Sequence, residues 1–259
     1  VAIGTNAIGI GVLTGADNIA IGRAAGTDLT SGGNNIFQGV AAGYNATTGG
    51  LNVAIGYYAI GAGVLTGSSN AVVGYEAGMD LTSGHNNSFF GMRAGYNATT
   101  TTYSVAIGRL AFGGGVLTGT DNTAIGQNAG YDLTSGTYNY FGGHQAGFNA
   151  TTADNTVAIG RSAIGLGVLT GADNVAIGYA AGYDLTSGTR NVMLGYFAGF
   201  NATTGGYNVF QGHHAGYNAT TASNTIAIGK AALFTGVLTG TDNTAIGQQA
   251  GNDLTSGTY

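Results

Sequence analysis

The chain contains no proline and no cysteine, and only 7% of its 259 residues are charged. Lack of proline excludes a collagen triple helix, which needs it together with glycine at every third position. Lack of cysteine excludes a disulfide framework and a thiolate metal site. The scarcity of charge argues against disorder, because disordered chains combine high charge with few apolar residues, and here 44% are apolar. Eleven acids against six bases give a net charge of −5. No basic patch exists to neutralise phosphates, so nucleic-acid binding is not expected. No apolar run approaches the ~20 residues of a membrane span, and no secretory signal is visible, so no membrane insertion is expected of this segment.

What is present is glycine, 51 residues of it, and a repeat. A four-residue block of the VAIG type starts fifteen times, at positions 17 or 18 residues apart, from Val1–Gly4 to Thr244–Gly247. The 18-residue versions carry GVLTG, as at Gly11–Gly15, and the 17-residue versions carry DLTSG (Asp28–Gly32) or NATT (Asn45–Thr48). The order GVLTG, DLTSG, NATT makes a super-repeat of 52 residues, broken once by an additional NATT coil, Val209–Thr225. A unit this short buries nothing alone and must stack on its neighbours. The expected fold is all-β: a parallel β-solenoid, or β-roll, of 15 coils of 17–18 residues. Two short strands and two turns fit in each coil. At ~4.8 Å per coil the stack would be ~70 Å long. The whole of residues 1–259 reads as one repeat domain, and with both ends at or inside a repeat it reads as a segment of a longer array.

The fourth residue of every coil is glycine, as at Gly22, Gly39, Gly56, Gly74 and Gly91. A fixed glycine corner implies positive φ or close backbone approach. The seventh residue is alanine throughout, which suggests a narrow interior. In the strand, the first and third residues share one face and the second points the other way. A strand with one wet face would carry polar residues there, yet the second column is apolar in all fifteen coils, with its large members, Phe37, Phe89, Phe141, Met193 and Phe210, in the NATT coils. Both faces of the strand therefore read as buried, one against the interior. The other is expected to meet a second copy of the chain, around a three-fold axis, through those five large residues; the alternative is a flattened solenoid whose loops cover that face. Arg23, Arg93, Arg109, Arg161 and Lys230 fall at the fifth or sixth position, and Tyr57, Tyr75, Tyr179 and Tyr196 at the fifth. This stripe reads as a wet strand and the surface for partner contact. Aspartates cluster before LTSG or Asn, where Asx side chains cap turns.

The repeat resembles the head repeats of YadA-like trimeric autotransporter adhesins, in which Asn precedes a VAIG-type strand, as in Asn52–Gly56 and Asn174–Gly178. It is also similar to repeats of phage-type tail fibre proteins, with TAIG strands between Thr- and Gly-rich turns, as at Thr123–Gly126 and Thr244–Gly247. The resemblance implies a left-handed, usually trimeric β-roll that serves as a surface adhesin or a receptor-binding fibre. The coil here is longer than the adhesin unit, and no coiled-coil stalk, anchor or chaperone domain is read in these 259 residues. The expected role is a structural or adhesive extracellular fibre, at a cell surface or on a virion, that associates with itself as a homotrimer or end to end. The alternative is a tail fibre that binds host or cell-surface glycans.

Asn45, Asn97, Asn149, Asn201 and Asn218 each head an Asn-Ala-Thr sequon. They read either as N-glycosylation sites or as turn residues, since Asp fills the same column in DLTSG coils. The threonines stand beside Gly and Asx, which suits a turn better than the flat rank of an ice-binding surface. The histidines are His85, His144, His213 and His214. His144 and His213 lie four coils apart, ~19 Å at the strand spacing, so one chain cannot bring them to one metal, and they read as surface residues unless three copies of one of them face a three-fold axis. No metal or cofactor is expected. Glu76 is the only glutamate and no Ser/His/Asp constellation stands apart from the repeat, so nothing points to an enzyme.

Overall fold

A computed structural model describes residues 1–9 and 12–257. Gly11, which opens the first GVLTG string, lies outside the described residues. The described residues contain fifteen strands of two or three residues, all parallel and each starting within a VAIG-type block, and no helix. The protein is a parallel β-solenoid. The chain divides into two compact units, Val1–Asn128 and a second from Ala129 onward. In the first, eight strands run from Ala2–Ile3 to Thr123–Ile125; in the second, seven run from Tyr140–Gly142 to Thr244–Ile246. Within each unit successive strands pair in register, so like residues lie above like: Ala20, Phe37 and Ala54 align, as do Ala176, Met193 and Phe210.

Each coil holds one strand, not two, because left-handed residues bracket it. From the second strand on, the residue two before each strand has φ of 51 to 62°, whether it is Asp17, Asn34, Leu51 or Tyr103. The corner glycine after it has φ between 123 and 146°. That corner also has no room: a Cβ on Gly39 would lie 2.4 Å from the Gly56 carbonyl oxygen in the next coil. The sixth position is left-handed too, with φ of 50 to 60° in residues as different as Ala24, Tyr58, Glu76 and Arg93. The expected wet strand is therefore a turn. For non-glycine residues this conformation costs about 1–2 kcal/mol each. Bonds to the preceding coil offset it: the Tyr58 N–H donates to the Val40 carbonyl at 3.0 Å, and that of Leu51 to the Gly33 carbonyl at 2.9 Å. The turns depend on the stack.

The second strand column points inward. Phe37, Phe89, Phe141, Met193 and Phe210 are fully buried within a single chain, which overturns their expected place at an oligomer interface. An aromatic ring already enclosed by its own coils has no surface left for a partner. The three coil types follow from how this interior is filled. NATT coils send a large residue in from the strand and a small one, such as Ala46 or Ala98, from the turn. DLTSG coils do the reverse, pairing Ala20 with Leu29 and Ala124 with Leu133. GVLTG coils add a buried eighth residue, Ile60, Phe112, Ile164 or Leu233. One phenylalanine serves two levels: the Phe37 ring lies over Gly26 and Gly43, where added Cβ atoms would approach it to 2.9 and 2.6 Å. The super-repeat is thus one volume-filling cycle.

Beside this apolar interior runs a buried asparagine ladder. Asn35 donates its backbone N–H and its Nδ2 to Asn18 Oδ1 at 2.9 and 3.1 Å, and its Nδ2 also to the Gly49 carbonyl at 2.9 Å. Asn70, Asn87, Asn191 and Asn208 repeat the pattern. Ser104, Thr156 and Thr225 occupy the rung elsewhere and are also buried. Buried amides are tolerated where they find partners in the neighbouring coils; Asn243, in the last rung, keeps a buried Oδ1 without one.

Candidate functional site

Two surfaces stand out, one on the strand and one on the turns. On the strand, the first and third positions face outward. They form two columns of mainly Val and Ile, with Gln38, Ser88, Thr123, Gln211 and Thr244 among them, none charged in any coil. Ile21, Ile107 and Ile177 are 37, 42 and 40% exposed. Sequence reasoning placed the partner face on the opposite side of the same strand. The inward column is apolar and the outward ones are mostly so, so alternation could not tell in from out. A parallel sheet is ordinarily covered on both faces; here the chain covers only one.

On the turns, the fifth, sixth and ninth positions form stacked side-chain columns, so the Tyr/Arg stripe is real although it is not a strand. In the first unit Tyr57 stacks on Tyr75 with centroids 5.2 Å apart, and Arg93 pairs with Glu76 at 2.7 Å. In the second unit the columns are denser. Tyr179, Tyr196 and His213 stack at 5.2 and 5.0 Å. Tyr183, Phe200 and Tyr217 stack at 4.9 and 5.1 Å. Phe197 meets Phe200 edge-on at 4.9 Å, and His214 stacks on Phe234 at 5.1 Å. Burial, then the neighbouring His213 and Lys230, lower the His214 pKa. This array coincides with the additional NATT coil. The duplication, together with Phe234 where other GVLTG coils carry glycine, leaves the ninth-position column unbroken over four coils.

At the edge of this array lies a cleft of about 330 Å³, lined by Gln145, Arg161, Ser162, Tyr179, Ala180, Tyr183, Phe197 and Phe200. The Arg161 guanidinium sits 5.8 Å from the Tyr179 ring centroid.

The sequon asparagines are half-buried turn residues. Asn45, Asn97 and Asn149 donate Nδ2 to the carbonyls of Ala62, Gly114 and Leu166, each at 2.7 Å. Asn201 donates to Asn218 Oδ1 at 2.5 Å, and Asn218 to the Phe234 carbonyl at 2.9 Å. The nitrogen a glycan would occupy is thus tied to the next coil. Threonines 30, 82 and 134 likewise donate their hydroxyls across coils, at 3.1, 3.1 and 2.9 Å. In the same column as the sequon asparagines, burial raises the pKa of Asp80, Asp132 and Asp184. Among the described residues no three or more His, Cys, Asp or Glu side chains gather as a metal cluster, and no helix is long and apolar enough to cross a membrane.

Comparison with family models, curated proteins and solved structures returns no match for the chain. Fold and surfaces define its class, a β-solenoid repeat protein with one uncovered, mainly apolar sheet face.

Proposed function

We propose that the chain is the shaft element of an extracellular structural fibre and that copies of it associate side by side through the outward strand columns. The observation that carries this reading is the uncharged, part-exposed face of an all-parallel sheet. In each unit it presents apolar area on the order of several hundred Å², the size that marks an interaction surface and approaches the ~800 Å² per partner of a stable interface. A second copy is the fitting occupant. Its columns repeat at the same coil spacing, and neither face carries a charge to repel the other. The fibre role and the extracellular setting are further supported by the resemblance of the Asn-Val-Ala-Ile-Gly strands to surface-adhesin repeats.

The test is sedimentation across a wide concentration range, combined with electron microscopy. The wild type is expected to form trimers or larger lateral assemblies. Ile55→Lys with Ile107→Lys, two substitutions that point into water in the single chain, is expected to give monomers with an unchanged circular dichroism spectrum. A wild type that stays monomeric throughout and forms no fibre overturns the reading.

A further inference from the structure

The cleft beside Arg161 exists because one coil lacks a side chain that its counterparts have. In four of the five GVLTG coils the ninth residue is glycine, and at Gly61 and Gly113 a long sixth residue leans over it. A Cβ placed on Gly61 would meet Tyr58 Cδ1 at 2.7 Å, and one on Gly113 would meet Leu110 Cδ2 at 2.8 Å. At Gly165 the corresponding residue is Ser162, which is too short to close the gap. One face of the Tyr183 ring is stacked on Phe200 at 4.9 Å. The other side of that ring faces Gly165, where an added Cβ would lie 3.0 Å from Tyr183 Cε2. Ala180 keeps the next sixth position low before Phe197 rises at the far wall.

The polar groups converge on the same space. Arg161 is exposed. Arg93 and Arg190 are engaged by Glu76 and Asp173, whereas Arg161 forms no ion pair among the described residues and sits beside the Tyr179 ring. Gln145 and Ser162 add neutral donors and acceptors.

We propose that this cleft binds an acidic saccharide. The sugar's C–H face would lie against Tyr183 and Phe197, its hydroxyls would bond Gln145 and Ser162, and its carboxylate would meet Arg161. The volume lies at the lower end of the range for small-molecule sites, enough for one ring of a longer chain. An apolar ligand would leave Arg161 and Gln145 unused. A small inorganic anion would leave the aromatic walls unused. The site uses turn positions only, so it is independent of lateral pairing through the strand columns.

The experiment is calorimetric titration of the whole chain with an oligogalacturonate, with the neutral oligogalactose and a benzoate as competing probes. The oligogalacturonate is expected to bind saturably, at least about tenfold more tightly than either probe. Ser162→Tyr restores the side chain that fills this place at Tyr58, in the same left-handed conformation (φ 55 and 50°), so the fold should accept it; it is expected to weaken binding at least about tenfold. Arg161→Gln should do the same. Arg109→Gln, at the equivalent position beside the closed Leu110 gap, should change nothing. No saturable binding, equal binding of the neutral chain, preference for benzoate, or indifference to Ser162→Tyr would each overturn the proposal. The sedimentation behaviour should be unaltered in every variant, which separates this result from the fate of the fibre reading.

Discussion

An ordinary NATT coil and the duplicated pair solve the same packing problem differently. Around Phe89, one ring fills two levels, over Gly78 and Gly95, and small residues stand at the second position in the adjoining coils apart from Val72. Around Val192–Thr225 two NATT coils follow each other, so two large residues are forced into adjacent levels. There the first is Met193, and its sulfur lies 2.7 Å from where a Gly199 Cβ would stand, while Phe210 takes the other side at 2.9 Å. Of the NATT coils, only the first of the duplicated pair departs from phenylalanine. An unbranched thioether bends around its neighbour where a second rigid ring would not. The interior conserves volume per cycle of coils, not residue identity per coil.

Substitutions put that contrast to the test. The largest effect is expected at Phe89→Ala, which empties two levels and should cost about 3–5 kcal/mol in urea unfolding. Phe210→Ala should cost less, because Met193 can move into the space; equal costs would show that the duplicated pair is packed as rigidly as the rest. The asparagine ladder should be indifferent to coil type. Asn52→Ala and Asn191→Ala each strip acceptors and donors from the coil above and should each cost about 2–3 kcal/mol by the same measurement. Met193→Phe, which makes the duplicated pair copy the ordinary coil, should destabilise by about 1–2 kcal/mol through overpacking, whereas Phe141→Met in a single NATT coil should cost about 1 kcal/mol or less.

The smallest effect is in pH, and it has opposite signs at His214, in the duplicated pair, and at three aspartates of the DLTSG coils. The His214 pKa is lowered in the fold, so its contribution is complete above the ordinary value of 6.5 and is lost as pH falls through the folded value. Asp80, Asp132 and Asp184 are raised, so theirs is complete below the ordinary value of 3.8 and is lost as pH rises through the folded values. Thermal melts from about pH 7.5 down to about pH 4.5, which crosses the ordinary histidine pKa from above, should show a decline that His214→Phe removes. A decline that survives the substitution would assign it elsewhere.

The solenoid itself was legible because its period is carried by residues with few alternatives. Glycine at the corner and alanine at the seventh position mark each turn of the chain directly. The direction of the strand was not legible. Ala20 and Phe37 on one side and Ile19 and Ile21 on the other are all apolar, so the pattern has a period without a sign. The left-handed sixth position was hidden for a different reason. Ala, Tyr, Glu, Arg and His all occupy it, because the bond to the coil beneath, rather than the side chain, selects the conformation. The ladder asparagines were visible as letters before each strand, but their burial depends on neighbours that only stacking supplies. The cleft arises from the absence of a long side chain at Ser162, which stands out only once Tyr58 and Leu110 are seen leaning over their glycines.

The Val209–Thr225 duplication shows that this molecule grows by whole rungs. Adding one full coil shifts everything beyond it by a single step along the stack and leaves each asparagine above an asparagine or its hydroxyl substitute. Deleting a single residue would instead put every later corner out of phase with the one below it. Length in such a molecule is therefore inherited in discrete increments, and one compensating side chain, here a methionine, is enough to admit the next.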